Sequence, residues 1–423
     1  MNERIGRSAG WCLAILGLCL FFPSSAKVQR FLGMAWVPVY LLGVGAALVI
    51  GYRYLLAKCI SWLSAKTVWV LAVSTLLLIV AGFVVIYPVA NSGRVGGGSD
   101  REEAVNAGVS EILHGRYPYY ARTEVAVHPA GEDWVYRGPL SQMPGELFFA
   151  VPFVLLGNSA YQNFFWLAVL FLTLRWFFGD GRDALLLVWV AVFLSPVCLH
   201  EAMSGGDLLA NSIWVFVITV IFVRIVPDAR MAAGAKTVVA VLLGMALSSR
   251  INFLLIGPLV LSMLVQTSGW KTAVRYMAVV AAAFLAVTLP FYFYDPENFT
   301  PLWLIRTRIG QYSPILPPLA QSFVSGSYGV LAIALSFMKM DRRGVRLFAG
   351  CAIVLAWPVL AEVVLTSIMA GCLDLERRAW YGLSSLFFGV MACWIVLPRA
   401  GDASAPKGEQ PSARANGSSP LVP

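Results

Sequence analysis

An all-α, polytopic helical membrane protein is the fold class this sequence predicts. Three observations predict it. Apolar runs of about 18 or more residues recur from end to end, and about 20 such residues cross roughly 30 Å of hydrocarbon. Only 13% of the 423 residues are charged, about half the roughly 25% of a soluble chain. The basic residues fall in short groups between the runs, as in Arg53/Lys58/Lys66, Arg230/Lys236 and Lys339/Arg342/Arg343/Arg346, which is the distribution of cytoplasmic loops. Backbone groups in lipid pair internally, so runs this long are helices rather than barrel strands.

The same distribution excludes a nucleic-acid binder. The formal net charge is +9, but no compact basic domain collects it. The seven cysteines have no metal-ligand spacing and read as small buried hydrophobes. No cofactor is indicated.

In chain order the apolar runs lie near 11–23, 34–52, 67–88, 161–178, 184–199, 209–226, 237–249, 251–266, 272–293, 320–338, 347–370 and 380–397. This predicts about 11–13 transmembrane helices. The first run follows a basic start and precedes "PSSAKV", so signal anchor and cleaved signal are both open. The 237–249 and 251–266 runs are short and split by "SSR", as in a hairpin with incomplete crossings. Segment 146–157 is too short to span and suits a re-entrant or interfacial helix. The organisation expected is N-terminal membrane segments over 1–66, a membrane domain over 67–398 with a long outer loop at 89–145, and a disordered cytoplasmic tail over 399–423.

With the N-terminus inside, loops 53–66, 179–183, 227–236, 267–271 and 339–346 all fall inside, and all carry Lys or Arg. The opposite face then receives 89–145, 200–208, Arg250, 294–319 and 371–379. All three histidines land there (His114, His128, His200), with Asp100, Glu102, Glu103, Glu201, Asp207, Asp295, Arg306, Arg308 and Asp374. Transporters place key polar groups near the bilayer midplane. Here the charge gathers at one interface.

The richest polar stretch is "GGGSDREEAVNAGVSEILHGRYPYY", Gly96 to Tyr120. Ser99 or Asp100 can cap a following helix, and Glu102 and Glu103 suit its first turn. Val105, Val109, Ile112 and Leu113 share one face, so 101–113 reads as an amphipathic helix along the membrane surface. Gly115 stops it, and "RYPYY" leaves it as an extended or turn segment. Asp100 reads either as an N-cap alone or as a reactive carboxylate. Downstream, "YRGPLSQMPGELFFAVPFVLLG" has Pro139, Pro144 and Pro152 interrupting an apolar run, with Tyr136 and Arg137 before it. It is either an interfacial loop with anchoring aromatics or a rigid wall of a lipid groove.

The succession of an acidic residue after an early span, a surface helix, "HGRYPYY", a tyrosine-proline region and a short apolar segment ending in "LLG" resembles GT-C-type polyprenol-phosphate-dependent membrane glycosyltransferases. Within them it is most similar to the bacterial mannosyltransferase-like group (GT87). The similarity continues at "SGGDLLANSIWVFV" and "GMALSSRINFLLIGPLVLSML", and more weakly at "DPENFTPLW". It covers roughly residues 95–300, and the order of the motifs carries it.

The resemblance implies a GT-C-like fold in a bacterial inner (plasma) membrane. It implies a polyprenyl-phosphate-linked sugar donor (mannose among the candidates), a lipid or glycan acceptor, and inverting transfer outside the cytoplasm. It places the catalytic carboxylate at Asp100, with Glu102 and Glu103 as rivals. A divalent cation at these three carboxylates is left open.

The chemistry agrees. A carboxylate can take the acceptor hydroxyl's proton, and arginine's planar fork suits a phosphate. Arg250, a lone charge between two apolar segments, is the first candidate for that phosphate, followed by Arg306 and Arg308. His114, Tyr119, Tyr120, Tyr136 and Asp207 complete the expected substrate-binding set. The competing readings are a transporter or flippase of lipid-linked saccharides, and a non-catalytic membrane scaffold.

Overall fold

The computed structural model describes residues 11, 14–50, 62–92, 101–127, 134–341 and 344–396; the side chains of 49–50, 124–127, 134–137, 306 and 308–309 lie outside that description. Among the described residues the regular structure is helical apart from one two-stranded antiparallel hairpin, β1 (Arg122–Val127) with β2 (Trp134–Pro139), which pairs Arg122 with Pro139 and Val127 with Trp134. The all-α expectation holds, with this hairpin as an addition inside the long loop.

The helices are α1 (Phe22–Leu32), α2 (Trp36–Ile50), α3 (Ala65–Ala90), α4 (Arg101–Leu113), α5 (Pro144–Leu155), α6 (Gln162–Phe178), α7 (Gly181–Phe193), α8 (Pro196–Ser204) and α9 (Asp207–Ile225). They continue with α10 (Ala233–Leu247), α11 (Gly257–Ser268, entered through a 3-10 turn at Ile251–Ile256), α12 (Trp270–Tyr294), α13 (Thr300–Gly310), α14 (Pro318–Ser336), α15 (Val345–Ala370) and α16 (Leu383–Val396).

Among the described residues seven helical segments are long and apolar enough to cross a membrane, or nine if each of two bent pairs makes one crossing. Fewer segments qualify here than the 11–13 expected, for local reasons. The run at 184–199 is broken by 83° between α7 and α8, where Ser195 caps the new helix and Pro196 opens it. Pro at the first helical position has no amide donor to give the preceding helix. The run at 161–178 turns by 100° away from α5, so α5 makes no separate crossing, as its length predicts. The run at 237–249 forms a shorter apolar helix, and the run at 34–52 continues into residues outside the description. Conversely, the 3-10 turn before α11 lengthens that segment to 18 residues.

The centre is α9. Every residue from Asp207 to Val220 is buried. Trp214 stacks on Phe149 at 5.0 Å, and Phe216 meets Phe348, Phe387 and Phe388. Burying an aromatic ring of this size contributes the largest single apolar gains available to a core. At the periphery α3 turns Val70, Val73, Leu77, Leu78, Val84 and Val85 outward. Such a continuous apolar exterior suits lipid.

α4 forms over the predicted residues. Val105 and Val109 are buried against Leu147 and Ala150 of α5, with Ile112 beside them. The apolar face thus meets protein, where a lipid surface was expected.

Candidate functional site

The ends of α3 and α10 and the beginnings of α4, α5 and α9 meet at one end of the bundle, and there the charged side chains go inside. Arg101, the first residue of α4, donates from Nη1 to Asp207 Oδ1 at 3.0 Å and from Nη2 to Glu201 Oε1 at 2.6 Å. Arg250 donates from Nη2 to Asp207 Oδ2 at 2.6 Å, with Glu146 Oε1 at 3.4 Å. Gln142 Nε2 donates to the same Asp207 oxygen at 3.1 Å. Asp207, Glu201 and Glu146 have fully buried side chains. Asp207 is the hub, with one arginine on each oxygen. Burial opposes the charge on Arg101, but Glu201 and Asp207 outweigh it and hold its pKa above the ordinary guanidinium value.

The backbone explains how these groups meet. Gly205 ends α8 in the left-handed region at φ 80°, and two residues later α9 starts, so Glu201 and Asp207 converge on Arg101. A Cβ on Gly206 would collide with the Glu201 carboxylate, so a larger residue there would push Glu201 off its place beside Arg101. Asn163 staples the same turn, donating to Gly206 O at 2.9 Å and accepting from Ala210 N at 3.0 Å. At the other flank a Cβ on Gly145 would strike the Met245 carbonyl. Its absence lets α5 start against the end of α10, with Gly145 N on Ser248 O at 3.0 Å. That contact sets Glu146 beside Arg250.

Arg250 also lines a cavity of about 390 Å³. Most of the wall is apolar, with Leu255, Leu304, Ile305, Leu316, Val324 and Val359. The polar lining groups include Tyr312, Glu362 and Tyr381. The Arg250 Nε is buried without a hydrogen-bond partner.

The sequence-predicted residues divide. Asp207 and Arg250 are joined directly. Tyr119, fully buried, donates to Gln142 O at 3.1 Å and so stands one residue behind Asp207. Glu102, also fully buried, accepts from Asn91 Nδ2 at 2.7 Å. Burial pushes its carboxyl up to about 8, more than the Asn91 hydrogen bond lowers it. Glu103 follows it, half-buried.

His114 is exposed and its Nδ1 contacts the Ser110 carbonyl oxygen of its own helix at 2.7 Å. Tyr120 is exposed and donates to Asp295 Oδ2 at 2.8 Å. Both stand apart from the Asp207 hub. Tyr136 lies on β2 and Arg306 and Arg308 on α13, their side chains outside the description. Asp100 and His128 lie outside the described residues.

Sequence reading missed Arg101, Glu146 and Gln142, and saw in Glu201 only a polar residue of the same face. One signal pointed to Arg101. A cation in the first turn of a helix opposes the macrodipole, so it needs an anionic partner elsewhere. Among the described residues no group of three His, Cys, Asp or Glu side chains could hold a metal ion.

Comparison with protein-family models, with curated proteins and with solved structures finds no match to this chain.

Proposed function

We propose that the chain is a membrane glycosyltransferase that moves a sugar from a polyprenyl-phosphate donor to a lipid or glycan acceptor. The supporting observation is Arg250 at the wall of a mainly apolar cavity, anchored from behind by Asp207 and Glu146. An isoprenoid chain is matched to the apolar lining, and a phosphate to the guanidinium. Asp207 holds one Nη of the fork and leaves its other donors to the donor's phosphate.

The step balances without a covalent enzyme intermediate. The acceptor hydroxyl oxygen bonds to C1 of the sugar. The bond from C1 to the phosphate oxygen breaks, and its electron pair leaves with the polyprenyl phosphate, whose charge Arg250 meets. The hydroxyl proton passes to a carboxylate base. Asp100 is the base in this reading, directly before Arg101 in the chain. Glu103 is the next choice. Glu102, pushed up to about 8, is mostly protonated at neutral pH and is the weakest of the three. The reading puts the transfer on the extracytoplasmic face of a bacterial inner membrane, the side opposite the basic loops when the N-terminus is inside and each of the twelve apolar runs of the sequence crosses.

The test uses the purified full chain in nanodiscs with a panel of polyprenyl-phosphate sugars and a lipid extract as acceptor. Asp100→Asn should keep donor binding and lose about 10²–10⁴ in transfer rate. Asn caps a helix about as well as Asp, so a capping role alone would leave the rate intact. Arg250→Lys should mainly raise the donor KM. Wild-type rates in Asp100→Asn, Glu102→Gln and Glu103→Gln alike would overturn the mechanism. Vectorial movement of the lipid-linked sugar without transfer would replace the enzyme with a transporter.

A further inference from the structure

Lys27, on α1, is buried to 7% exposure. No hydrogen bond or ion pair reaches it among the described residues. Its Nζ instead lies 5.3 Å from the centre of the Trp380 ring. Arg101 packs on the same ring, with Cζ at 4.2 Å. Glu201 is the carboxylate whose field Lys27 feels most, but Glu201 Oε1 is already taken by Arg101 at 2.6 Å.

An ammonium carries three donors and no acceptor. Burying most of the side chain weakens the hydration of this charge, and a cation–π contact replaces only part of it. The protein therefore leaves this cation undercompensated, beside a second cation on the same indole. Arg101 is already paired with Glu201 and Asp207, so Lys27 is the cation left for an anionic ligand, and lysine is a common point-charge ligand of phosphate.

The location separates this spot from the donor pole. Tyr381 lines the Arg250 cavity, whereas Lys27, Arg101 and Trp380 do not. Tyr381 and Trp380 stack at 4.1 Å, so the aromatic pair links the cavity to the Lys27 spot.

We infer that Lys27, set against Trp380 beside Arg101, forms a second anion subsite that takes the phosphate group of a ligand other than the donor held at Arg250. The subsite stands on the placement of Lys27 alone. Naming its occupant as the acceptor, which would make the acceptor phosphate-bearing, rests on the glycosyltransferase reading.

The experiment uses the full chain with lysine side chains labelled at Nζ with ¹⁵N, and reads dipolar contacts to ³¹P by solid-state NMR. One arm adds inorganic phosphate to protein in phosphate-free detergent. The other uses nanodiscs doped with phosphatidic acid, whose headgroup is a phosphate monoester. The expected result is a phosphorus contact to a lysine Nζ that disappears in Lys27→Arg, a variant that keeps the charge and removes the label. Contact in the first arm shows that a free phosphate group suffices. Contact in the second arm alone assigns the site to a lipid headgroup. No contact in either arm, or only contacts that persist in Lys27→Arg, overturns the inference. Sugar transfer is not read, so failure of the glycosyltransferase reading would leave this result unchanged.

Discussion

The two ends of α4 carry the same chemistry in opposite surroundings. At its start Arg101 meets Glu201 at 2.6 Å with 10% of the arginine side chain and none of the glutamate exposed. Just past its end Arg116 meets Glu111 at 2.6 Å with 59% and 22% exposed. Equal distances do not make equal interactions. In water the Coulomb gain is small, is screened by salt and is offset by the entropy of holding two long side chains. In the interior each ion gives up its hydration, and every partner it keeps becomes indispensable. The buried end is thus a fixed scaffold for Asp207 and Arg250, and the exposed end is a helix terminus.

The largest effect should come from removing the buried cation. Arg101→Met keeps a long apolar stem but takes from Glu201 its closest cation, leaving His200 Nδ1 at 3.9 Å, and leaves Asp207 with only Arg250. Loss of one partner of a buried ion pair costs about 3–5 kcal/mol, and the unfolding free energy in detergent should fall by about that much. A loss below about 1 kcal/mol would mean that water reaches the carboxylates, and the contrast between the two ends of α4 would collapse.

The next effect belongs to Glu102, beside Arg101 on the buried turn. Its carboxyl is pushed from the ordinary 4.5 up to about 8 by burial. Between those values the folded chain holds a proton that the unfolded chain has released. Folding therefore takes up a proton, and stability falls as pH rises. The contribution is fully present below about pH 4.5 and is lost by the time pH passes about 8. Glu102→Gln cannot titrate, so its pH–stability curve should lack this fall, and near pH 8 the variant should be more stable than the wild type. A parallel pair of curves would show that Glu102 is hydrated and titrates normally.

Much of this was legible in the sequence. The apolar runs gave the membrane class, and the spacing of Val105, Val109 and Ile112 gave α4 and its apolar face, though not the protein surface that face meets. The isolation of Arg250 between two apolar segments, with Asp207 after a glycine pair, marked two members of the hub. What hid the rest was the ambiguity of a charged first turn. "REE" after a capping residue describes a solvated helix start equally well, and burial is decided by α8 and α9, about a hundred residues further on. Glu201 could join the hub only because Gly205 and Gly206 reverse the chain, a steric fact that residue spacing does not display. Lys27 and Trp380 lie more than 350 residues apart and share no pattern at all. The kinks that bend two of the apolar runs were marked by Pro196 and by the "GNSAY" turn, but apolar composition continues through both.

The smallest effect should come from the exposed pair. Arg116 makes two hydrogen bonds to Glu111, from Nε at 2.6 Å and Nη2 at 2.8 Å, which is as good a fork geometry as any in the molecule. The Arg116 hydrogen bonds hold the Glu111 carboxyl below its ordinary value, so the two charges do interact. Yet the helix end has other means of closure. His114 N donates to Ser110 O at 3.1 Å, Gly115 N to Ile112 O at 2.9 Å and Arg116 N to Glu111 O at 2.8 Å, all from the backbone, while Gly115 supplies the positive φ of 69° that ends the helix. Arg116→Gln leaves each of these in place and lets Glu111 rehydrate. Its unfolding temperature should match the wild type at physiological salt, with any difference appearing only at low ionic strength. A clear drop that persists at high salt would show that the Arg116 stem packs on α4 or the hairpin, so that this end of the helix is held by burial as well.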